Sequence, residues 1–285
     1  MTVAQQKTDA PLIWALKWVV PWYVCVGLFA HMFLIRDVLL GPFDKGVVDN
    51  LGIVAVGIAI VLGVIWAGRN WRSLRSSRMA LMCLGASIVV ALGGLDSVDP
   101  AFPAKRVHVM EYFALAVVVF AAFKNTAHLG VRALAALILT AMLGGLDELL
   151  QGAMAERTYG LADILTNTYG ALSGVLAICA VQFLKARTTN AGAGAERLSW
   201  AELSAPLALA VGYFLFLAAL YPFRGLDFPL WALLPLAGGV VVVAQSHTIQ
   251  ALNMDIARFC AAAGIIAVTA MGGVIYVQIM AVHFI

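Results

Sequence analysis

The sequence predicts an all-α, polytopic transmembrane helical bundle of about nine spans. Three observations carry that prediction. Of 285 residues, 63% are hydrophobic and only 12% charged, where a soluble domain is nearer half apolar and a quarter charged. The mean hydropathy is +0.95, more apolar surface than one globule can hide from water. The apolar residues also fall into runs of about 20, the length a helix needs to cross a roughly 30 Å hydrocarbon core. Backbone N–H and C=O groups cannot stay unpaired in lipid, so each run reads as a helix. This composition excludes a soluble enzyme, a disulfide scaffold, a nucleic-acid binder and a disordered chain.

The nine runs lie near 12–35, 48–67, 79–95, 107–123, 131–150, 162–184, 204–221, 229–246 and 259–281. The first is too long for a cleaved leader and follows a polar lead, so it reads as a span that stays. Pro21 and Pro235 are expected to kink their helices. The small-residue stretch Thr188 to Glu196 reads as a linker. Four parts follow: two N-terminal helices with a basic loop over 1–78, a four-helix core over 79–187, a linker over 188–203 and three helices over 204–285. Cys25, Cys83, Cys179 and Cys260 all fall within runs without paired metal spacing, and read as packing residues.

Orientation follows from Lys and Arg. The loop after the second run carries Arg69, Arg72, Arg75 and Arg78 with no acid, a cytoplasmic marker. With nine spans the N-terminus is then cytoplasmic and the C-terminus extracytoplasmic. Twelve of the 18 cations fall inside, whereas most carboxylates, Glu111, Asp147, Glu148 and Asp163 among them, fall outside. The polar chemistry therefore faces the extracytoplasmic side.

Two stretches concentrate that chemistry. Lys105, Arg106, His108, Glu111 and Tyr112 open the fourth run; His108 and Tyr112 are four apart and share a helical face. Lys105 stands one turn earlier, where its ammonium is expected to reach water or a phosphate. The second stretch is Asp147, Glu148 and Gln151, then Glu156 and Arg157, then Asp163 and Asn167 with Gly170 and Gly174. Glu148 and Gln151 are three apart; Asp163 and Asn167 are four apart. Three helix ends thus offer a base, an amide, carboxylates and an Arg toward one shared pocket. Ionisable residues at membrane depth are costly and mark functional sites by default. The plain structural alternative is that Arg157 and Lys105 pair with Glu148 and Asp163 and tie helix ends together. Gly170 and Gly174 have small-xxx-small spacing, which serves close helix packing.

These residues closely resemble a known family. Glu148-Leu-Leu-Gln151, Arg157 and the run Asp163 to Gly174 resemble the second motif of VanZ-like membrane proteins. Lys105, His108 and Tyr112 match the upstream motif of that family. The likeness covers about residues 79–184, with one departure: the family usually has Asp directly before that Lys, and here Ala104 stands. A carboxylate role there would pass to Glu111 or Asp99. The resemblance implies a bacterial cytoplasmic-membrane protein whose namesakes are linked to low-level teicoplanin resistance. It implies a location and a site, not a reaction.

Other chemistry is less supported. Ser173 has no His clearly beside it, so packing is the reading. The remaining histidines lack metal-ligand spacing, and no phosphate-binding glycine loop occurs. Asp147, Glu148 and Asp163 with His108 form the one set that could hold a divalent cation against a phosphate. No cofactor is called for. The expected ligand is an amphipathic one, a membrane lipid or lipid-linked wall precursor. Lys105, Arg106 and Arg157 would meet its anionic head group, while His108, Tyr112, Glu148, Gln151, Asp163 and Asn167 shape the pocket. The alternatives are an enzyme at the same site, with His108 as general base and Glu148 and Asp163 as acids or metal ligands, and an accessory subunit of a larger membrane complex.

Overall fold

The computed structural model describes residues 11–13, 15–17, 44–123, 129–152, 160–188, 200–223, 230–249 and 254–279. Among the described residues the chain is all-helical, without a strand. Eight long helices follow in order: α1 (Lys45–Arg69), α2 (Arg78–Asp96), α3 (Val107–Ala122), α4 (Leu129–Gly152), α5 (Leu161–Thr188), α6 (Trp200–Leu220), α7 (Leu234–Ile249) and α8 (Met254–Ile279). Five of the described helical segments are long and apolar enough to cross a membrane: Lys45–Arg69, Arg78–Asp96, Leu129–Gly152, Leu161–Lys185 and Ala257–Ile275. This is a multi-pass membrane protein by helix length and composition.

Not every apolar run gives one helix of full spanning length. The run at 107–123 gives α3 with 16 residues, about 24 Å at 1.5 Å per residue and so shorter than the hydrocarbon core. The runs at 204–221 and 229–246 contribute shorter apolar stretches, Leu207–Phe223 and Trp231–Val242. The first run lies outside the described residues except for helical turns at 11–13 and 15–17; Pro21 and Cys25 lie outside them altogether.

Helix ends follow local rules. Ser77 caps α2, its side-chain oxygen accepting from the Ala80 N–H at 3.4 Å. A 3₁₀ turn at Pro103–Arg106, with Pro103 in its first turn, leads into α3. Pro235 does not kink a helix, contrary to the sequence expectation. It is the second residue of α7, directly after the 3₁₀ turn Leu230–Leu233. A first-turn N–H has no intrahelical partner, so a proline there starts a helix without loss.

Helix α5 is the axis of one half of the molecule, packing against α2, α3 and α4. Its small residues set how closely. A Cβ at Gly170 would lie 2.5 Å from the Val109 carbonyl oxygen, and one at Gly174 would lie 2.5 Å from that of Phe113. Only glycine lets the α3 backbone come this near, so the Gly170–Gly174 spacing serves packing as expected. Helix α4 joins the halves, contacting α5 on one side and α6 and α8 on the other. There the Tyr213 hydroxyl donates to the Met142 carbonyl at 2.8 Å. The main core is built from α4, α6 and α8, with Leu139, Met142, Leu146, Phe216, Leu217 and Ile266 buried.

Candidate functional site

Four helix termini meet at one end of the α2–α5 half. They are the end of α2, the start of α3 behind its 3₁₀ turn, the end of α4 and the start of α5. The sequence places polar residues at each, and the fold converts sequence distance into contact.

The turn before α3 supplies two cations with different fates. The Lys105 ammonium pairs with the Asp163 carboxylate of α5, with 22% of the Lys105 side chain exposed. The contact matches the structural alternative stated for that pair. Asp163 sits in the first turn of α5, where the helix dipole also favours negative charge. Arg106 turns the other way: its Nε donates to the Leu95 carbonyl of α2 at 3.5 Å.

On α3, His108 Nδ1 lies 2.9 Å from Glu111 Oε2. The His108 and Tyr112 rings share the face that their spacing predicts, with centroids 6.2 Å apart. The Tyr112 hydroxyl donates to Asp147 Oδ2 at 3.0 Å, holding a buried carboxylate of α4. The sequence offered Asp147 only as a possible cation ligand, and not as part of the lipid pocket. Its position beside Glu148 was a signal, but only the α3–α4 crossing reveals its partner.

Glu148 is 1% exposed. It accepts from Gln151 Nε2 at 3.4 Å and from the Gly160 backbone N–H at 3.4 Å. The i, i+3 pairing with Gln151 is thus formed. Asn167 is fully buried; its Nδ2 donates to the Gly144 carbonyl of α4 at 3.3 Å, while its Oδ1 has no hydrogen-bond partner. A buried acceptor without a donor costs about 1–3 kcal/mol. Next to it Thr166 meets Ser97 of α2 with 2.9 Å between hydroxyl oxygens.

Arg157 and Glu156 lie outside the described residues. The structure brings together Lys105, Asp163, Tyr112, Glu148, Gln151 and Asn167, with His108 on the rim beside Glu111. The substitute carboxylates proposed for position 104 have other work. Glu111 faces His108, and Asp99 accepts from the Ala101 N–H at 2.8 Å within its own turn.

The divalent-cation set does not assemble: among the described residues no three His, Cys, Asp or Glu side chains converge in a metal-holding group. Asp147, Glu148 and Asp163 are instead engaged by Tyr112, by Gln151 and Gly160, and by Lys105 respectively. Ser173 is a packing residue, as its sequence context indicated. Its hydroxyl donates to the Ser87 carbonyl at 2.9 Å, and the Ser87 hydroxyl donates back to the Ser173 carbonyl at 2.8 Å. This reciprocal pair joins α2 to α5. Cys83, Cys179 and Cys260 are free thiols.

Chemically, the cluster is rich in acceptors and poor in donors. Lys105 stands at its partly exposed edge, paired with Asp163, while Arg106 is directed to α2; Asp147, Glu148 and Asn167 lie among the few donors Tyr112, Gln151 and Gly160. Comparison with known proteins found no matching family model, no matching curated protein and no matching solved structure.

Proposed function

We propose that this protein binds the head group of an amphipathic, anionic lipid or lipid-linked precursor at this polar cluster. The observation that carries the reading is the buried Asn167 Oδ1, which has no donor, set beneath a partly exposed Lys105. The groups around it, Tyr112, Glu148 and Gln151, are hydrogen-bonded, so the unfilled acceptor is where a donor supplied by a ligand would be stabilised. A phosphate would share Lys105 with Asp163 and draw on Arg106 in charge-assisted hydrogen bonds. Hydroxyls or an amine of the same head group would donate to Asn167, Asp147 and Glu148.

The VanZ-like resemblance supports placing the protein in a bacterial cytoplasmic membrane with the cluster on the extracytoplasmic side. It also supports a role in teicoplanin tolerance or envelope homeostasis. The arginine loop after α1 and the bias of the cations support the cytoplasmic N-terminus and the nine-span topology.

The test is lipid binding by the full chain in nanodiscs, titrated with short-chain phosphatidylglycerol. Lys105→Gln is expected to weaken binding about tenfold, the value of one charge-assisted hydrogen bond. Glu148→Gln should alter the order of preference among head groups. Unchanged affinity in both folded variants overturns the reading. The His108–Glu111 contact favours a second reading, an enzyme on a phospho- or acyl-lipid with His108 as base. Turnover of labelled lipid that disappears in His108→Ala would select it over binding alone.

A further inference from the structure

The head-group cluster does not use the space on the other side of the Pro103–Arg106 turn. A partly open cavity of about 260 Å³ runs between α1, α2, α3 and α5. Val56, Ile60 and Trp66 of α1 wall one side; Leu84, Ile88 and Ala91 of α2 wall another. Its two hydroxyls, Ser87 and Ser173, are spent on each other. Apart from the Trp66 indole N–H at its far end, the lining side chains are apolar or already paired, and a cavity this apolar takes apolar occupants. From Val56 to Trp66 the wall rises about 15 Å, half of the hydrocarbon core and so the depth of one leaflet.

The end of this slot is marked by charge. A Cβ on Gly52 of α1 would overlap the backbone of Arg106, and Arg106 Nε meets the Leu95 carbonyl of α2. Val56 and Ala91, which line the slot, lie one turn along α1 and α2 from those two contacts. Arg106 thus stands about 5 Å beyond the slot on both helices. Among the described residues no carboxylate pairs with it, and a guanidinium carries five N–H donors.

We infer that this slot binds one acyl chain of an anionic phospholipid whose phosphate is held by Arg106. The inference rests on the lipid reading above and adds where the tail lies and which charge is selected. Lys105 then faces the polar cluster and Arg106 the tail slot, so a single turn divides head from chain.

The experiment uses the full chain in nanodiscs containing phosphatidylglycerol or phosphatidylcholine with a diazirine in mid-chain. Adducts are mapped by peptide mass spectrometry. Labelling is expected to concentrate within residues 56–66 and 84–91, about fivefold higher for phosphatidylglycerol, the value of one interfacial cation. Gly63→Phe should remove it. Gly63 lines the slot and a Cβ there meets nothing within 4 Å, so the larger ring fills space instead of displacing helices. Arg106→Gln should keep the adducts and equalise the two lipids. Equal labelling by both lipids in the unmodified protein, or labelling indifferent to Gly63→Phe, overturns the slot. If Glu148→Gln still changes head-group preference in that case, only the slot falls and the head-group reading stands. Selective slot labelling with no effect of Glu148→Gln or Lys105→Gln would retain the slot and remove the cluster.

Discussion

Helices α1 and α4 are both long and apolar, yet they do opposite things. In α1 the most apolar window has a mean hydropathy of 2.5 and only 11% of it is buried; in α4 the figures are 1.9 and 61%. In a water-soluble protein the more apolar helix would be the more buried one. Here lipid is the solvent and is as apolar as leucine, so hydropathy marks the surface facing lipid. What draws α4 inward is packing and polarity together: Leu139, Met142 and Leu146 fill the core, and Asp147, Glu148 and Gln151 need partners that lipid cannot supply.

The largest effect that could break this contrast is in the α4 core. Leu146 is 1% exposed and packs within the α4–α6–α8 cluster. Leu146→Ala opens a cavity that lipid cannot reach. The transfer part of the usual cost is small because the unfolded reference already sits in lipid, which leaves mainly the cavity part. The expected loss is about 2 kcal/mol, the low end of the range for Leu→Ala. Unfolding of reconstituted protein by titrated SDS reads it directly. No loss would mean that α4 is not the buried helix of the pair.

A smaller loss is expected from Tyr112→Phe, which removes the hydroxyl that donates to Asp147 at 3.0 Å. Hydrogen bonds between membrane helices average about 0.6 kcal/mol and reach about 1.7. The buried carboxylate left behind places this one toward the upper figure. The same SDS titration measures it, and Asp147→Asn in the Tyr112→Phe background should recover part of the loss. An unchanged midpoint in Tyr112→Phe would remove polarity from the reasons that α4 is buried.

How far the sequence carried this differs by level. The runs at 48–67 and 79–95 lie within Lys45–Arg69 and Arg78–Asp96, because charges at membrane boundaries end an apolar run as plainly as a cap does. Same-face pairs such as Glu148–Gln151 were also legible, since helical spacing is a local property. Partner choice was not. Lys105 could have met a ligand, water or any of several carboxylates, and only the α3–α5 crossing at Gly170 and Gly174 brings Asp163 to it. The Ser87–Ser173 pair spans 86 positions, and no spacing rule encodes a contact of that range. Pro235 was misread because its effect depends on whether a helix has already begun, which hydropathy alone does not reveal.

The smallest expected effect is the one that sharpens the comparison most. Ile58 on α1 is 56% exposed, and its side chain meets lipid where that of Leu146 meets protein. Ile58→Ala removes as many heavy atoms as Leu146→Ala, so the two differ in surroundings and not in chemistry. At position 58 an acyl chain moves into the vacated space, no cavity persists, and the lost contacts are remade with lipid. The change in stability should therefore stay within about 0.5 kcal/mol, against about 2 kcal/mol at Leu146. Measured side by side in the same SDS titration, the pair separates burial from hydropathy as the source of stability. A loss at Ile58 equal to that at Leu146 would mean that α1 is covered by protein in the membrane, and its high hydropathy would then mark an interface and not a lipid-facing surface.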